Sequence, residues 1–215
     1  MNHIRYANIV NEYQHLSYDA VVEISKDKRL PCSLMMFNVR TNRNIGALIR
    51  TAEIFGCSDV YLIGDQKVDM RSSQGAHNYL TLHKTRADIE DENDLVAKFN
   101  ETIETNNLMP VFVEQGGKEL DEIDWTYYFN KKVCFVVGNE SIGIPNQLLT
   151  KNSTIVSIGQ IGVGRSLNVA VAGGILMHHF AKQYEKWKNN VFYVIALIRM
   201  LLFIVVMMLL IYANV

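Results

Sequence analysis

Three separated stretches hold the residues whose types and spacing could do chemistry. In residues 38–56, NVRTNRNIGALIRTAEIFG, Asn44 and Arg50 stand six apart. In residues 138–145, GNESIGIP, Glu140 follows an apolar run and lies between two glycines. In residues 155–180, IVSIGQIGVGRSLNVAVAGGILMHHF, Gly159, Gly162 and Gly164 lead to Arg165, Ser166 and Asn168. A glycine-rich loop lets backbone come within touching distance of a ligand. A helix opening behind it presents free N–H groups and the positive end of a dipole. None of these loop residues is a thiol or a histidine, which argues against covalent catalysis and for binding a reactive cofactor.

Each residue also has a plainer reading. Asn44 reads as a helix N-cap, with Arg50 projecting from the following turns; six residues is over one and a half turns, so the two do not share a face. A helical arginine is usually a solvated surface charge, but the apolar neighbours Leu48, Ile49 and Ala52 suit a partly enclosed site. Glu140 is either a surface turn acid or a carboxylate held at the carboxyl end of a sheet, where open α/β folds bind ligands. Ser166 is explained as an N-cap, whereas Asn168 in a first turn is not. The glycines give GxxGxG, not GxGxxG, after the last strand and without a Walker lysine, which excludes a dinucleotide or P-loop fingerprint. His77 and His83 have no third ligand at suitable spacing, so no metal is assigned.

These residues must be positioned by an α/β domain. Residues 1–32 read as a helical lead-in, residues 33–38 as a buried strand, and the following helix is stopped by Gly56. Residues 60–63 form the next strand, so the first unit is strand–helix–strand, which favours a parallel sheet. Residues 66–86 read as a polar surface loop or short helix. Residues 88–107 read as a helix with Leu95, Phe99 and Ile103 on one face, and residues 109–114 as a strand. VCFVV, residues 133–137, is the run expected of a strand buried on both faces. A brief helix at 147–149, a last strand at 155–158 and a helix over 166–186 complete the domain.

The 215 residues suffice for one well-packed domain with something appended. A net charge of -1 excludes a strongly basic protein, so any nucleic-acid contact must come from a local patch. Cys32, Cys57 and Cys134, each in or beside an apolar segment, read as buried reduced thiols. The N-terminus MNHIRYANIVNEYQ has no apolar signal core, so no secretory leader is expected. Residues 191–212, VFYVIALIRMLLFIVVMMLLIY, are long enough to cross a bilayer core of roughly 30 Å. Arg199 would cost about 2.5–3.5 kcal/mol at mid-span, outweighed by its large apolar neighbours at about −0.3 to −0.6 each. Lys182, Lys186 and Lys188 would keep the preceding domain on the cytoplasmic side. The alternative is a helix buried at a protein–protein interface.

In order, the three stretches resemble the three motifs of the SPOUT superfamily, TrmH (SpoU) family, of RNA ribose 2′-O-methyltransferases. NRNIGALIRTAEIFG resembles the first, VVGNESIGIP the second and IVSIGQIGVGRSLNVAVA the third, and the likeness covers residues 34–186. The resemblance implies a SPOUT α/β-knot over residues 33–188: a parallel sheet flanked by helices, its C-terminal segment threaded into a trefoil knot, with the hydrophobic helix outside it. It implies a homodimer. It implies S-adenosyl-L-methionine, held bent by backbone at Gly138, Ile158 and Leu167. It makes Arg50 the catalytic arginine, supported by Asn44, with Glu140, Ser166 and Asn168 as the remaining motif residues. The implied reaction is attack of an RNA ribose 2′-hydroxyl on the sulfonium methyl, in tRNA at a guanosine first and in rRNA second. A guanidinium is a poor base, so the expected role of Arg50 is to orient the hydroxyl and an adjacent phosphate. Arg40, Arg43 and Arg165 are the expected RNA-binding groups, with Arg71, Lys84 and Arg86 further out. Their modest number makes a dimer the means of building a continuous track. Ser157 and Ala170 depart mildly from the family pattern. The competing expectation is a non-catalytic, membrane-tethered RNA-binding protein of the same fold.

Overall fold

The structure is a computed structural model and describes residues 9–212. Six strands pair in parallel in the order β3-β2-β1-β5-β4-β6. They are β1 (Cys32–Phe37), β2 (Asp59–Gly64), β3 (Thr81–Arg86), β4 (Met109–Glu119), β5 (Val133–Val137) and β6 (Thr154–Ser157). The central pair, β1 and β5, is buried along its whole length, as continuous apolar runs require. Strand alternation then divides their side chains between two cores: Leu34 and Met36 enter one, Met35 and Phe37 the other.

Helices α2 (Asn42–Ile54) and α4 (Val169–Tyr212) close the first core; α3 (Glu92–Asn106) closes the second with Leu95 and Phe99. Phe180 of α4 is fully buried against Trp125, Phe129 and Phe135. Burial of such a ring contributes about 1.5–3 kcal/mol, which fixes the first turns of α4 against the sheet. Gly46 lets α2 lie directly on the 3-10 turn Met70–Ser73, since a Cβ there would stand 2.1 Å from Ser72 Oγ. Helix α1 (Tyr18–Asp27) opens at Ser17, whose Oγ accepts the Ala20 N–H at 3.2 Å. The part of the expected helical lead-in before residue 9 lies outside the described residues.

Several sequence expectations need correction. Residues 66–86 are not merely loop: they end in the edge strand β3, in register with β2 from Asp59↔Thr81 to Gly64↔Arg86. Its polar sequence, TLHKTR, hid it, because an edge strand needs little apolar surface. His83 on that strand stacks on Tyr61 at 4.5 Å and bonds Asp59 Oδ1 at 2.8 Å, while His77 Nδ1 meets Ser73 Oγ at 2.6 Å. Residues 147–149 form turns, not a helix, and β4 runs on to Glu119 past an irregularity between Val113 and Lys118. The last helix starts at Val169, not at Ser166, and does not end at Lys186. It continues unbroken through the apolar tail to Tyr212. At 1.5 Å per residue its 44 residues span about 66 Å. Among the described residues this is one helix long and apolar enough to cross a membrane, and its apolar window is unburied. The three cysteines are buried and free, with the Cys134 thiol pushed up to about 12 by burial.

Candidate active site

The carboxyl ends of β1, β5 and β6 converge where the chain turns from one half of the sheet to the other. Beyond β5, Asn139 builds a tight turn: its backbone exchanges hydrogen bonds with Gly143 at 3.1 and 3.0 Å. Its side-chain Oδ1 accepts the N–H groups of Ser141 and Ile142, and its Nδ2 donates to the Asn38 carbonyl at 2.8 Å. A Cβ on Gly138 would meet the Gly143 backbone at 2.6 Å, so this approach demands glycine. The turn presents Glu140 to the start of α2.

Glu140 accepts three hydrogen bonds there: Arg40 N–H at 2.9 Å, Thr41 N–H at 3.1 Å and Asn44 Nδ2 at 2.8 Å. Burial alone would raise its pKa. The Arg40 N–H, the Asn44 amide and further backbone N–H groups outweigh burial and hold it down at about 2. Such a carboxylate is a weak proton acceptor. It takes up the N–H of the cap residue Thr41, whose own side chain makes no cap hydrogen bond, and it sits at the positive end of the α2 dipole.

Asn44 is therefore not the N-cap; it lies in the first turn and links two stretches. Its Oδ1 accepts from Asn168 Nδ2 at 3.1 Å. Asn168, for which the sequence offered no structural reason, is the residue that caps α4. Its Oδ1 accepts the Ala170 and Val171 N–H groups at 2.9 and 3.3 Å, and its carbonyl accepts the Ala172 N–H. Ser166 is thereby freed from capping and lies exposed three residues before the helix. Glu140, Asn44 and Asn168 thus form one hydrogen-bonded run through all three stretches.

Arg50 does not join that run. It lies on another face of α2 and donates from Nη1 to Gln74 Oε1 at 2.9 Å. There it lines a groove of about 1370 Å³ between α1, α2, α4 and the segment around Tyr79. Gln74 was not foreseen from the sequence; its left-handed backbone, φ 50°, is invisible in residue type. Arg40, Arg43 and Arg165 are exposed; Arg40 Nη1 is 3.4 Å from Asp65 Oδ1, and the Arg165 carbonyl accepts from Gln115 Nε2.

The loop after β6 is exposed from Gly159 to Asn168. Within residues 159–167 no backbone–backbone hydrogen bond is made, so their amides are open to a ligand. Ile161, Val163 and Leu167 in this loop, and Ile142 in the turn after β5, are exposed apolar side chains. Ile158 is half-buried against the first core.

A profile of the SpoU rRNA Methylase family matches residues 31–178, well over half of the chain. The chain belongs to this family. It is 25% identical over 170 residues to a tRNA (guanosine(18)-2′-O)-methyltransferase of Escherichia coli K12, covering 78% of this chain and 70% of the relative. It is 30% identical over 152 residues to the 23S rRNA (guanosine(2553)-2′-O)-methyltransferase RlmP of Bacillus subtilis, covering 68% and 56%. A longer mouse tRNA (guanosine(18)-2′-O)-methyltransferase is 29% identical over 140 residues, and the chain spans only 9% of its length. Among solved structures, the A. aeolicus TrmH/SpoU tRNA modifying enzyme superposes with TM-score 0.63 at 23% identity, covering 79% and 83%. The SpoU match ends at residue 178, so the apolar half of α4 lies outside the shared domain.

Proposed function

We propose that the chain is an S-adenosyl-L-methionine-dependent RNA ribose 2′-O-methyltransferase acting on tRNA at a guanosine. The observation that carries this reading is the run Glu140–Asn44–Asn168, which locks the three chemistry-bearing stretches into one site at the carboxyl edge of the sheet. The tRNA enzymes among its relatives favour tRNA; the Bacillus subtilis relative favours rRNA as the second reading.

Bound S-adenosyl-L-methionine would supply an electrophilic methyl group. Gly138, Ile158 and Leu167 would hold it through backbone groups, and the apolar side chains of residues 159–167 would exclude water from it. Ser166, exposed and unneeded as a cap, is free to hydrogen-bond substrate or cofactor. Glu140 is a positioning residue, because its carboxylate is spent on three donors. Arg50 would fork onto the ribose hydroxyl and an adjacent phosphate. Because Arg50 faces away from the Asn168 run within one chain, the reading includes a homodimer in which one protomer's Arg50 serves its partner's cofactor loop. Threading of the segment after β6 into a trefoil knot belongs to the same reading. So does a membrane anchor. The residues from Val191 to Val206 are apolar but for Arg199 and exposed along their length, Lys182, Lys186 and Lys188 precede them, and the domain would stand on the cytoplasmic side.

Labelled S-adenosyl-L-methionine incubated with bulk tRNA, then ribose-methylation mapping, tests the activity. Label in a base rather than a ribose, or no cofactor binding, would overturn it. The shared site is tested by mixing Arg50→Ala and Asn168→Ala chains. Each alone should be inactive, and random re-pairing should restore roughly a quarter of wild-type turnover, one intact composite site in each mixed dimer. No recovery would place both residues in the same chain's site.

A further inference from the structure

A second cavity, of about 330 Å³, opens at the carboxyl ends of β1, β2 and β3. Its floor is aliphatic and buried, formed among others by Val39, Ile45 and Leu62. Its rim carries Lys67, Lys84 and Arg86, all exposed, and none is in an ion pair among the described residues. Three unneutralised cations over a low-dielectric floor attract an anion with an apolar body.

The cavity adjoins the site described above. Arg40 donates its backbone N–H to Glu140 and points its guanidinium at Asp65, which lines the cavity. Ile45, in the floor, directly follows Asn44. The Asp69 N–H donates to Asn42 Oδ1 at 2.9 Å, tying the loop that walls the cavity to the first turn of α2. The Arg40–Asp65 pair thus links the two places.

Resting on the reading of the chain as an RNA methyltransferase, we infer that this cavity is the subsite for a nucleotide neighbouring the methylated ribose. Its volume, at the lower end of the roughly 300–1,000 Å³ usual for ligand pockets, suits one unstacked nucleotide and excludes a duplex. The base would lie on the aliphatic floor, and the phosphate would take Lys84 and Arg86, with Lys67 on the opposite lip. The named floor residues carry no side-chain donor or acceptor, so the subsite would read shape and charge and leave the neighbour's base identity open.

The test uses the full chain in detergent micelles, with RNA affinity measured against salt. Lys84→Ala/Arg86→Ala should weaken binding roughly tenfold near physiological salt and reduce the slope of log affinity against log salt by about 0.7 for each phosphate no longer neutralised. Lys131→Ala/Lys132→Ala removes the same charge just before the amino end of β5, at the opposite ends of the strands from the cavity, and should change neither. An unchanged slope in the first variant, or an equal loss in the second, would overturn the subsite. RNA carrying 4-thiouridine beside the methylated position should cross-link to the peptide containing residues 84–86; cross-linking elsewhere would count against it. A nucleoside monophosphate should compete better than inorganic phosphate, and equal potency would reduce the cavity to a phosphate site. Cofactor and RNA binding by the wild type are read separately from these variants. Loss of the subsite with wild-type binding intact therefore leaves the methyltransferase reading standing.

Discussion

Helix α2 has two working faces of opposite construction. Asn44, in its first turn, is bonded on both sides to residues about a hundred positions away, Glu140 and Asn168. Arg50, less than two turns on, bonds a single glutamine and faces an open groove. The first face is completed by the chain itself and contributes to stability as well as to the site. Among the described residues the second is held by the Gln74 bond alone. This contrast separates residues bonded into the fold from one that faces an open groove.

The sharpest way to break the comparison is to remove the open face. Arg50→Ala should lower turnover by about 10²–10³, the usual effect of losing a charged donor aimed at developing charge. It should shift folding stability by no more than about 0.5 kcal/mol, as an exposed substitution does. Arg50→Lys should recover little, since an ammonium cannot reproduce the planar fork. Asn44→Ala should lose activity and stability together. Equal destabilisation by Arg50→Ala and Asn44→Ala in denaturant titrations would erase the distinction between the faces.

A smaller effect comes from the wired face. Glu140→Ala strips the Arg40 and Thr41 N–H groups and the Asn44 amide of their acceptor at once. Leaving such donors short should cost about 1–3 kcal/mol, read as a drop in melting temperature. Glu140→Gln keeps one acceptor oxygen and should recover part of that loss. If Glu140→Ala melts like the wild type, water replaces the carboxylate without cost, and the turn after β5 is not what positions α2.

The two faces were not equally legible in the sequence. The sheet was, because β5 is apolar at every position and β1 at every position but Ser33, as strands of a parallel sheet buried on both sides are. The three motifs were, because glycines and uncharged polar residues cluster beside those runs. The run from Glu140 to Asn168 was not, since it is made across long separations by side chains whose local pattern suggested other duties. Asn44 and Ser166 both fitted the N-cap preference, yet the caps went to Glu140 from outside α2 and to Asn168 in α4. Residue type gives a preference, and the tertiary contact decides. Strand β3 escaped for the converse reason: an edge strand half open to solvent carries no apolar signature. The direction of Arg50 depended on Gly46 seating α2 on Ser72, a close approach no single-sequence pattern encodes.

The finest test of the comparison is pH. The Glu140 carboxyl titrates near 2 in the folded chain against an ordinary value of 4.5. A group whose folded pKa is depressed contributes stability that is fully present above its unfolded pKa. That contribution is lost as pH falls through the folded value. The contribution of Glu140 should therefore be constant above about pH 4.5 and fade between there and about pH 2. Because the residue is partly open to solvent, its size should be on the order of 1 kcal/mol and not the full shift. Asp69 and Glu185 are also held below their usual range, by Arg71 and Lys182, so only a difference isolates Glu140. Subtracting the acid limb of Glu140→Gln from that of the wild type should leave a residual slope, and subtracting that of Arg50→Ala should leave none. No residual slope between the wild type and Glu140→Gln would assign the acid sensitivity to those surface pairs and leave the wired face of α2 held by the Asn44–Asn168 bond alone.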